Sequence, residues 1–218
     1  MTMQLSPDLP QRLADRLTRP LPGATAHAEF AAELSYGRHE LPAPHNARRA
    51  AVLVLLYLDQ GNWKLPLTER PRTLATHAGQ ISLPGGEIEV GESVEEAALR
   101  ELSEELQVPG TGIALLGRLS TIYVFASNFV VTPCVATTSS RPPFRPQPSE
   151  VANLLEPTLV HLLAPDHRGW HSIERAGICF RAPHIEYHGH RIWGATSMIL
   201  AELFALVAEC YIERKSAR

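Results

Sequence analysis

The chain has 218 residues, of which 44% are hydrophobic, and this fits one globular domain with a sizeable core. Its net charge of -3 excludes the global basic field of a nucleic-acid-binding protein, so no nucleic-acid partner is expected. No apolar run reaches the roughly 18 residues of a membrane span, and the N-terminus lacks a signal-peptide pattern, so we expect no membrane partner and a cytoplasmic location. The widely spaced Cys134, Cys179 and Cys210 are interpreted as buried thiols in a reducing compartment.

The N-terminal region is predicted to be a helix followed by an irregular segment. Ser6-Pro7-Asp8 is typical of a helix start, and leucines recur at every fourth position after it, so we predict an amphipathic helix over residues 7–18. Residues 20–46 hold several prolines and glycines without a clear period and are interpreted as a wrapping loop. We assign residues 1–45 to this extension and residues 46–213 to the main domain, and leave open whether the helix forms a homodimer interface.

The main domain is predicted to begin with strands. Residues 49–58 form a continuous apolar run of strand length, which predicts a strand buried on both faces. A turn follows, and residues 63–69 are predicted to return as the second strand of a hairpin. Residues 80–83 predict a brief strand, and Pro84-Gly85-Gly86 is interpreted as its end.

A helix is predicted to open at Ser93, because Ser93 and Glu96 have the spacing of a capping box. Pro109-Gly110 would prevent its continuation. Apolar residues at every fourth position predict its buried face, at Val94, Ala98, Leu102 and Leu106.

The second half of the main domain is predicted to be rich in strands. The predicted elements are strands over 113–124 and 128–137, a proline-rich loop over 141–149, a strand over 150–155, a helical turn over 159–163, a hairpin of 171–180 with 184–193, and a last helix capped by Thr196. This succession predicts a mixed α/β domain in which helices cover a sheet.

The segment 85–108 has an unusual charge distribution, because it holds eight glutamates and one arginine. Like charges at i,i+4 spacing on a helix repel by roughly 0.2–0.5 kcal/mol per pair, so something must offset this repulsion. Divalent cations that prefer carboxylate oxygens are one candidate. A solvated acidic helix face is the alternative, and composition alone does not decide between the two.

Three of these glutamates, Glu101, Glu104 and Glu105, are predicted to share an arc of roughly 100° on the helix. Glu101 and Glu105 would lie about 6 Å apart along the axis, since each residue rises by about 1.5 Å. This spacing lets two carboxylates reach one cation, or two cations bridged by water. Arg100 lies beside the arc and is expected to pair with Glu92, which would fix the preceding loop onto the helix.

The order of residues in this segment closely resembles the Nudix box, G-x5-E-x7-R-E-U-x-E-E-x-G-U, in which U is an apolar residue. The match covers Gly86, Glu92, Arg100, Glu101, Leu102, Glu104, Glu105 and Val108, and Gln107 stands in place of the last glycine. The resemblance implies a Nudix-type α-β-α sandwich, with a mixed β-sheet between helices. It also implies metal-dependent hydrolysis of a small-molecule nucleotide substrate, a nucleoside diphosphate derivative.

The resemblance further implies which residues act in the reaction. Glu101 and Glu105 would be the principal ligands of Mg²⁺ or Mn²⁺, with Glu104 contributing and the Gly85 carbonyl as a further candidate ligand. Arg100 would be a catalytic residue that orients these carboxylates.

The general base is left open between Glu101 and Glu150. Glu150 follows the proline-rich loop, and loops often carry such residues. Its alternative interpretation is a surface acid at the start of a strand.

The residues before the Nudix box are similar to the signature of the coenzyme A pyrophosphatase branch. The matching positions are Thr68, Arg70, Gly79 and Pro84-Gly85-Gly86, whereas Pro71, Ala75 and Leu83 depart from the signature. This resemblance implies that coenzyme A or an acyl derivative is split into phosphopantetheine and adenosine 3′,5′-bisphosphate. The candidate substrate-binding residues are Arg70, Arg72, His77 and Gln80.

Two other interpretations stay open. Another nucleotide, such as ADP-ribose, NADH or a nucleoside triphosphate, could be the substrate, because Ala75 replaces an arginine that could contact the 3′-phosphate of coenzyme A. The chain could also be a catalytically silent Nudix-like nucleotide-binding module. The presence of Glu101, Glu104 and Glu105 argues against this second alternative.

Overall fold

The fold is described for residues 5–35, 39, 41–72, 79–175 and 177–216 in a computed structural model. The strands are β1 (Arg48–Asp59), β2 (Asn62–Lys64), β3 (Leu67–Glu69), β4 (Ile81–Ser82), β5 (Gly85–Glu87), β6 (Ala114–Arg118), β7 (Ile122–Val124), β8 (Phe129–Thr138), β9 (Asn153–Leu155), β10 (Arg168–Arg175), β11 (Ile178–Tyr187) and β12 (His190–Trp193). The α-helices are α1 (Leu9–Leu17), α2 (Ala24–His27), α3 (Val94–Leu106), α4 (Leu159–Leu163) and α5 (Ala195–Ser216), and short 3₁₀ helices cover Ala28–Phe30 and Pro165–His167.

A six-stranded mixed sheet, the central sheet, lies in the middle of the molecule, with β2, β1, β8 and β6 in this order. β1 and β8 are parallel, and Leu53 pairs with Cys134 at the middle of their ladder. β5 pairs antiparallel with β1, and β7 pairs antiparallel with β8. The side chains of Leu53 and Val54, on opposite faces of β1, are both 0% exposed. The prediction of a strand buried on both faces is therefore confirmed.

Helices cover both faces of the central sheet, which confirms the α-β-α sandwich. On one face, Leu53 and Leu55 of β1 pack in a cluster with Leu102 of α3. On the other face, Val54 and Leu56 belong to a cluster that contains apolar residues of α1 and α5. The predicted buried stripe of α3 is confirmed, since its members, Val94, Ala98, Leu102 and Leu106, are all buried.

Two three-stranded sheets accompany the central sheet, with strand orders β10-β11-β12 and β4-β3-β9. The second of these corrects the predicted hairpin strand over residues 63–69. Pro66 separates β2 from β3, because proline has no backbone N–H to donate to a ladder. β2 stays on β1, whereas β3 pairs with β4 and β9.

The strand β4 ends before Pro84-Gly85-Gly86, as the sequence predicts, but Gly85–Glu87 then form a further strand, β5, along β1, which the sequence pattern does not predict. Gly85 has φ +156°, and a Cβ at this position would meet the Val52 Cα at 2.6 Å. Only glycine allows so close an approach of two backbones. The glycines therefore bring this strand against β1 instead of breaking it.

Local backbone features divide three of the predicted strands. The strand over 113–124 is split into β6 and β7, and the register of β6 against β8 shifts between Leu115 and Gly117. The strand over 171–180 is interrupted between β10 and β11, where Gly177 has φ +74°. The strand over 184–193 is interrupted between β11 and β12, where Gly189 has φ +83°. A bulge and a turn of this kind depend on single glycines, which apolar patterns do not reveal.

Residues 150–155 form a shorter strand than predicted, because the amides of Glu150 and Val151 bond to the Gln147 carbonyl in a turn. Only Asn153–Leu155 pairs in β9. The segment 20–46 is not wholly a loop, since it contains α2. His27 of α2 bonds the buried Glu202 of α5 at 3.2 Å, so a tertiary contact stabilises this short helix.

Two further predictions, for Thr196 and for the cysteines, have mixed outcomes. Thr196 does not cap α5 but lies inside it, where its hydroxyl donates to the Ile81 carbonyl at 3.0 Å. Cys134 and Cys210 are buried as predicted, but Cys179 is exposed on β11 because its strand leaves the core there. Within the described part of the chain, no helix is long and apolar enough to cross a membrane.

Candidate active site

The helix α3 begins where its sequence predicts. The Ser93 side chain accepts from the Glu96 amide at 3.2 Å, and the Glu96 side chain accepts from the Ser93 amide at 2.8 Å. This reciprocal pair satisfies two backbone donors that a helix start leaves free. The helix ends at Gln107, whose φ of 54° is left-handed, so glutamine adopts the conformation that glycine has in the resembled motif.

Arg100 lies at the centre of the acidic segment. Its Nε donates to Glu92 Oε1 at 2.7 Å, and its Nη1 donates to Glu101 at 2.9 Å and to Glu104 at 2.8 Å. Its Nη2 donates to the Glu87 carbonyl at 2.9 Å. The predicted pairing with Glu92 is present, and one guanidinium offsets much of the repulsion among these acids. The hydrogen bond from Arg100 lowers the pKa of Glu92.

Glu105 occupies the most buried position among those predicted site residues that the structure describes. It is 4% exposed, and its Oε2 has no hydrogen-bond partner among the residues that the structure describes. Burial, followed by the charge of Glu101, raises the pKa of Glu105 to about 8, although Arg70 and a hydrogen bond from the Gly85 backbone act against this. A buried carboxylate oxygen without a partner fits a divalent cation, because a cation compensates the charge that burial disfavours.

Glu101 lies against β5, on the same side of the helix as Glu105. A Cβ on Gly86 would come within 2.6 Å of the Glu101 Cδ, so glycine leaves the space that this carboxylate fills. Burial raises the pKa of Glu101, and its hydrogen bond from Arg100 opposes the rise. Gly86 and Arg100 thus hold the Glu101 carboxylate from two sides.

The predicted site residues separate into two groups. Glu101 and Glu105 lie together, and Glu150 is close enough for its charge to raise the pKa of both. Glu104 lies apart from these residues, at the surface of the helix, because its side chain is 50% exposed and bonds Arg100. The structure therefore brings Glu150 from a distant segment to the buried carboxylates.

The candidate substrate-binding residues are also distributed unevenly. Arg70 lies near Glu105, and its buried Nε has no hydrogen-bond partner within the described ranges. Its backbone is held by two hydrogen bonds, from the Arg70 amide to the Gln80 carbonyl and from the Gly79 amide to the Arg70 carbonyl, each 3.0 Å long. Arg72 is exposed, whereas His77 lies outside the described residues.

Sequence reasoning missed a polar pair behind Arg70. Glu69 is 7% exposed, and its Oε2 accepts from the Asn153 side chain at 2.6 Å. Its carbonyl accepts from the Ala152 amide at 2.8 Å. The pair ties β3, which leads into Arg70, to β9, which follows Glu150. A charged residue within the short strand Leu67–Glu69 was the available signal, since burial of an acid requires partners.

Comparison with known proteins identifies the family. A family model described as NUDIX domain matches residues 47–175. The chain belongs to the Nudix hydrolase family. Relatives named "Uncharacterized Nudix hydrolase NudL" support this: the protein from Yersinia enterocolitica is 35% identical over 72% of this chain and 80% of its own length, and that from Photorhabdus laumondii is 32% identical over 75% and 90%.

The fold of this Nudix hydrolase has a counterpart among solved structures. A MutT/nudix family protein from Enterococcus faecalis aligns with a TM-score of 0.51 at 16% identity, over 94% of this chain and 76% of that one. Nudix hydrolases act on nucleoside diphosphate derivatives and generally use divalent metal ions. The Nudix resemblance, the α/β sandwich and the enzyme prediction are thereby confirmed.

Proposed function

We propose that this Nudix hydrolase cleaves the pyrophosphate bond of coenzyme A or an acyl derivative, with Mg²⁺ or Mn²⁺, to give phosphopantetheine and adenosine 3′,5′-bisphosphate. One water molecule is consumed: its oxygen joins one phosphorus, and the bridging oxygen leaves with the other phosphorus. The observation that carries the proposal is the buried Glu105 carboxylate beside Glu101, with an oxygen that has no partner among the described residues.

The residues that would hold the metal are Glu101 and Glu105, with Glu104 and the Gly85 carbonyl as contributors. When bound, a divalent cation would neutralise phosphate oxygens and make a water molecule nucleophilic near neutral pH. Arg100 would keep Glu101 and Glu104 in place, because it already donates to both carboxylates. Glu104 is the weakest of these candidates, since half of its side chain is exposed.

Arg70 is the strongest candidate for binding the pyrophosphate. Its guanidinium lies near Glu105, and its buried Nε has no partner in the described part of the chain. Arginine forms directional, charge-assisted hydrogen bonds with phosphate oxygens. Arg72, His77 and Gln80 are retained as further substrate-binding candidates, on the sequence resemblance that named them.

We assign the general base to Glu150 in preference to Glu101. Glu101 already accepts a hydrogen bond from Arg100 at 2.9 Å and is proposed to bind metal, and both interactions reduce its basicity. Glu150 is exposed and lies near Glu101 and Glu105. It is therefore better placed to take a proton from the attacking water.

The assignment of coenzyme A is supported by the signature residues around Arg70. Gly79 has φ +69° and donates its amide to the Arg70 carbonyl, so this glycine shapes the connection that presents Arg70. Thr68 is 1% exposed, and its hydroxyl lies 3.2 Å from that of Ser82 on β4. Two signature positions thus have a structural reason for their residue types.

A substrate panel tests the proposal. Purified protein would be incubated with Mg²⁺ or Mn²⁺ and with coenzyme A, acetyl-coenzyme A, ADP-ribose, NADH or nucleoside triphosphates, and the products separated by chromatography. We expect adenosine 3′,5′-bisphosphate from the coenzyme A substrates. Turnover of ADP-ribose but not of coenzyme A would reject the substrate assignment, and absence of turnover with every nucleotide would reject the proposed reaction.

A further inference from the structure

Residues 139–152, which we call the brace loop, connect β8 to β9 and contact the last turn of α3. The amide of Arg145 donates to the Leu106 carbonyl at 2.9 Å, and the amide of Gln147 donates to the Glu105 carbonyl at 2.8 Å. Carbonyls in the last turn of a helix have no partner within the helix. The brace loop therefore caps α3 at the residue that supplies the buried carboxylate.

The sequence of the brace loop suits this contact. Its prolines stand at positions 142, 143, 146 and 148. They alternate with the two amides that bond α3, at Arg145 and Gln147, and each proline fixes its own φ near −65°. A segment stiffened in this way loses less conformational entropy when it docks. The brace loop is thus pre-organised to present two donors at i,i+2 spacing.

The start of the brace loop is attached by a second set of contacts, the clamp, formed by Tyr57, Arg141 and Glu156. Arg141 donates to both Glu156 oxygens, at 2.7 and 2.8 Å. The Tyr57 hydroxyl donates to the same carboxylate at 2.6 Å. Tyr57 lies near the end of β1 and is 0% exposed, so the clamp joins the loop to a buried position of the central sheet.

The end of the brace loop is held between α3 and β3. Val151 is 3% exposed and packs in the apolar cluster that contains Leu102 of α3. The Ala152 amide donates to the Glu69 carbonyl at 2.8 Å. Glu150 lies between these contacts and the cap on α3, so its backbone has supports on both sides.

We propose that the brace loop positions Glu150 against the carboxylates of Glu101 and Glu105, and that the clamp residues Tyr57, Arg141 and Glu156 are positioning residues for the reaction. They act through the loop. The clamp fixes the start of the loop, and the amides of Arg145 and Gln147 fix its middle on α3. The turn that contains Glu150 follows directly. The inference rests on the proposed function in one respect, namely that Glu150 acts in the hydrolysis.

The test compares Arg141→Ala with a matched control, Arg118→Ala. Arg118 forms the same kind of two-bond pair, with Glu95 of α3 at 2.6 Å for both bonds, and is 49% exposed compared with 40% for Arg141. The control removes an ion pair from the helix but leaves the brace loop intact. Both variants lose one largely exposed arginine, so their effects on folding should be similar.

The readouts are steady-state kinetics and amide hydrogen exchange. We expect Arg141→Ala to lower kcat roughly tenfold with KM changed less than about twofold, because misplacing a reacting group slows the chemical step more than it weakens binding. Arg118→Ala should stay within about twofold of the wild type in both constants. The amides of Arg145 and Gln147 should exchange faster in Arg141→Ala only.

A second variant separates positioning from general destabilisation. Tyr57→Phe keeps the buried ring and removes only the hydroxyl that bonds Glu156, so we expect a smaller change in the same direction, and Arg141→Lys should restore part of kcat. Unchanged exchange at Arg145 and Gln147 in Arg141→Ala, or faster exchange with kcat equal to that of the control, would overturn the proposal. An inactive wild type would instead overturn the proposed function, and the exchange comparison, which needs no substrate, would still support or reject the capping.

Discussion

The two sides of α3 carry the same residue type in opposite environments. On the side facing β5, Glu101 and Glu105 lie in the sandwich, and burial raises the pKa of both. On the outer side, Glu104 bonds Arg100, which also bonds Glu92 in the loop before the helix, and this hydrogen bond lowers the pKa of Glu92. The difference shows that a count of glutamates does not separate these environments: Glu101 and Glu105 are withdrawn from solvent, and Glu105 has an oxygen without a partner among the described residues, whereas Glu104 is held at the surface by Arg100.

Glu105→Gln has the largest expected effect among the variants that test this distinction between buried and exposed glutamates. It removes the charge of the buried carboxylate while keeping its shape, and we expect kcat to fall by about 100-fold or more, since even groups that only support metal ligands matter by 10–100-fold. The fold should be retained or slightly stabilised, because the change removes repulsion with Glu101. Kinetics with Mn²⁺ and thermal unfolding measure the two effects. Near-normal activity would show that the buried side is not the metal site.

Gly86→Ala tests whether Glu101 needs the space that β5 leaves for its carboxylate. The new methyl group would overlap the Glu101 carboxylate and displace it, so we expect kcat to fall about tenfold. Gly110→Ala is the matched control, because its Cβ would meet Leu99 at an ordinary 3.7 Å. Equal activity of the two variants would mean that the position of Glu101 is not critical. Parallel measurements of kcat and secondary structure distinguish displacement from unfolding.

Ser93→Ala tests the exposed start of α3, where the capping box begins the helix. We expect a loss of about 1 kcal/mol in the free energy of unfolding, with kcat unchanged, because the Glu96 amide loses its acceptor. Ser103→Ala, at an exposed mid-helix position, should be neutral or slightly stabilising, since alanine favours helices. Urea unfolding of both variants provides the comparison, and a similar stability for the two would contradict the assigned cap.

Glu104→Gln should have the smallest effect of the four. Arg100 keeps its bonds to Glu92 and Glu101, so we expect kcat within about threefold of wild type and a stability change below about 0.5 kcal/mol. Direct comparison with Glu105→Gln under the same conditions makes the contrast between the two sides quantitative. A loss as large as that of Glu105→Gln would move Glu104 into the essential metal set.

The features of α3 that the sequence predicts are local ones. The capping box, the buried stripe and the Arg100–Glu92 pair all depend on spacing within the short segment 92–106, and all are present. The approach of Glu150 could be proposed only by resemblance, because its place depends on the docking of a segment over 40 residues away in sequence. Nothing local at residue 150 reveals that contact.

Elements that depend on long-range pairing were predicted less well. Pro84-Gly85-Gly86 ends β4 as predicted, but the sequence pattern does not reveal that Gly85–Glu87 then pair with β1, where the glycines permit close backbone contact. Residues 63–69 contain two strands that belong to different sheets. Pro66 indicates where the two strands separate, but it does not indicate that the second one pairs with β4 and β9. The apolar run of β1 was predictable because burial on both faces requires it.

The parallel ladder between β1 and β8 also has a kinetic consequence. Leu56 and Thr137, which bond across it, are 81 residues apart in sequence, and the whole of α3 lies between the two strands. Such non-local pairing must overcome a large loop-closure entropy, which slows folding relative to folds built from local contacts. The helix can gain its first turns early, but its carboxylates acquire their final surroundings only after β8 has docked beside β1. The active site is therefore expected to form late in folding.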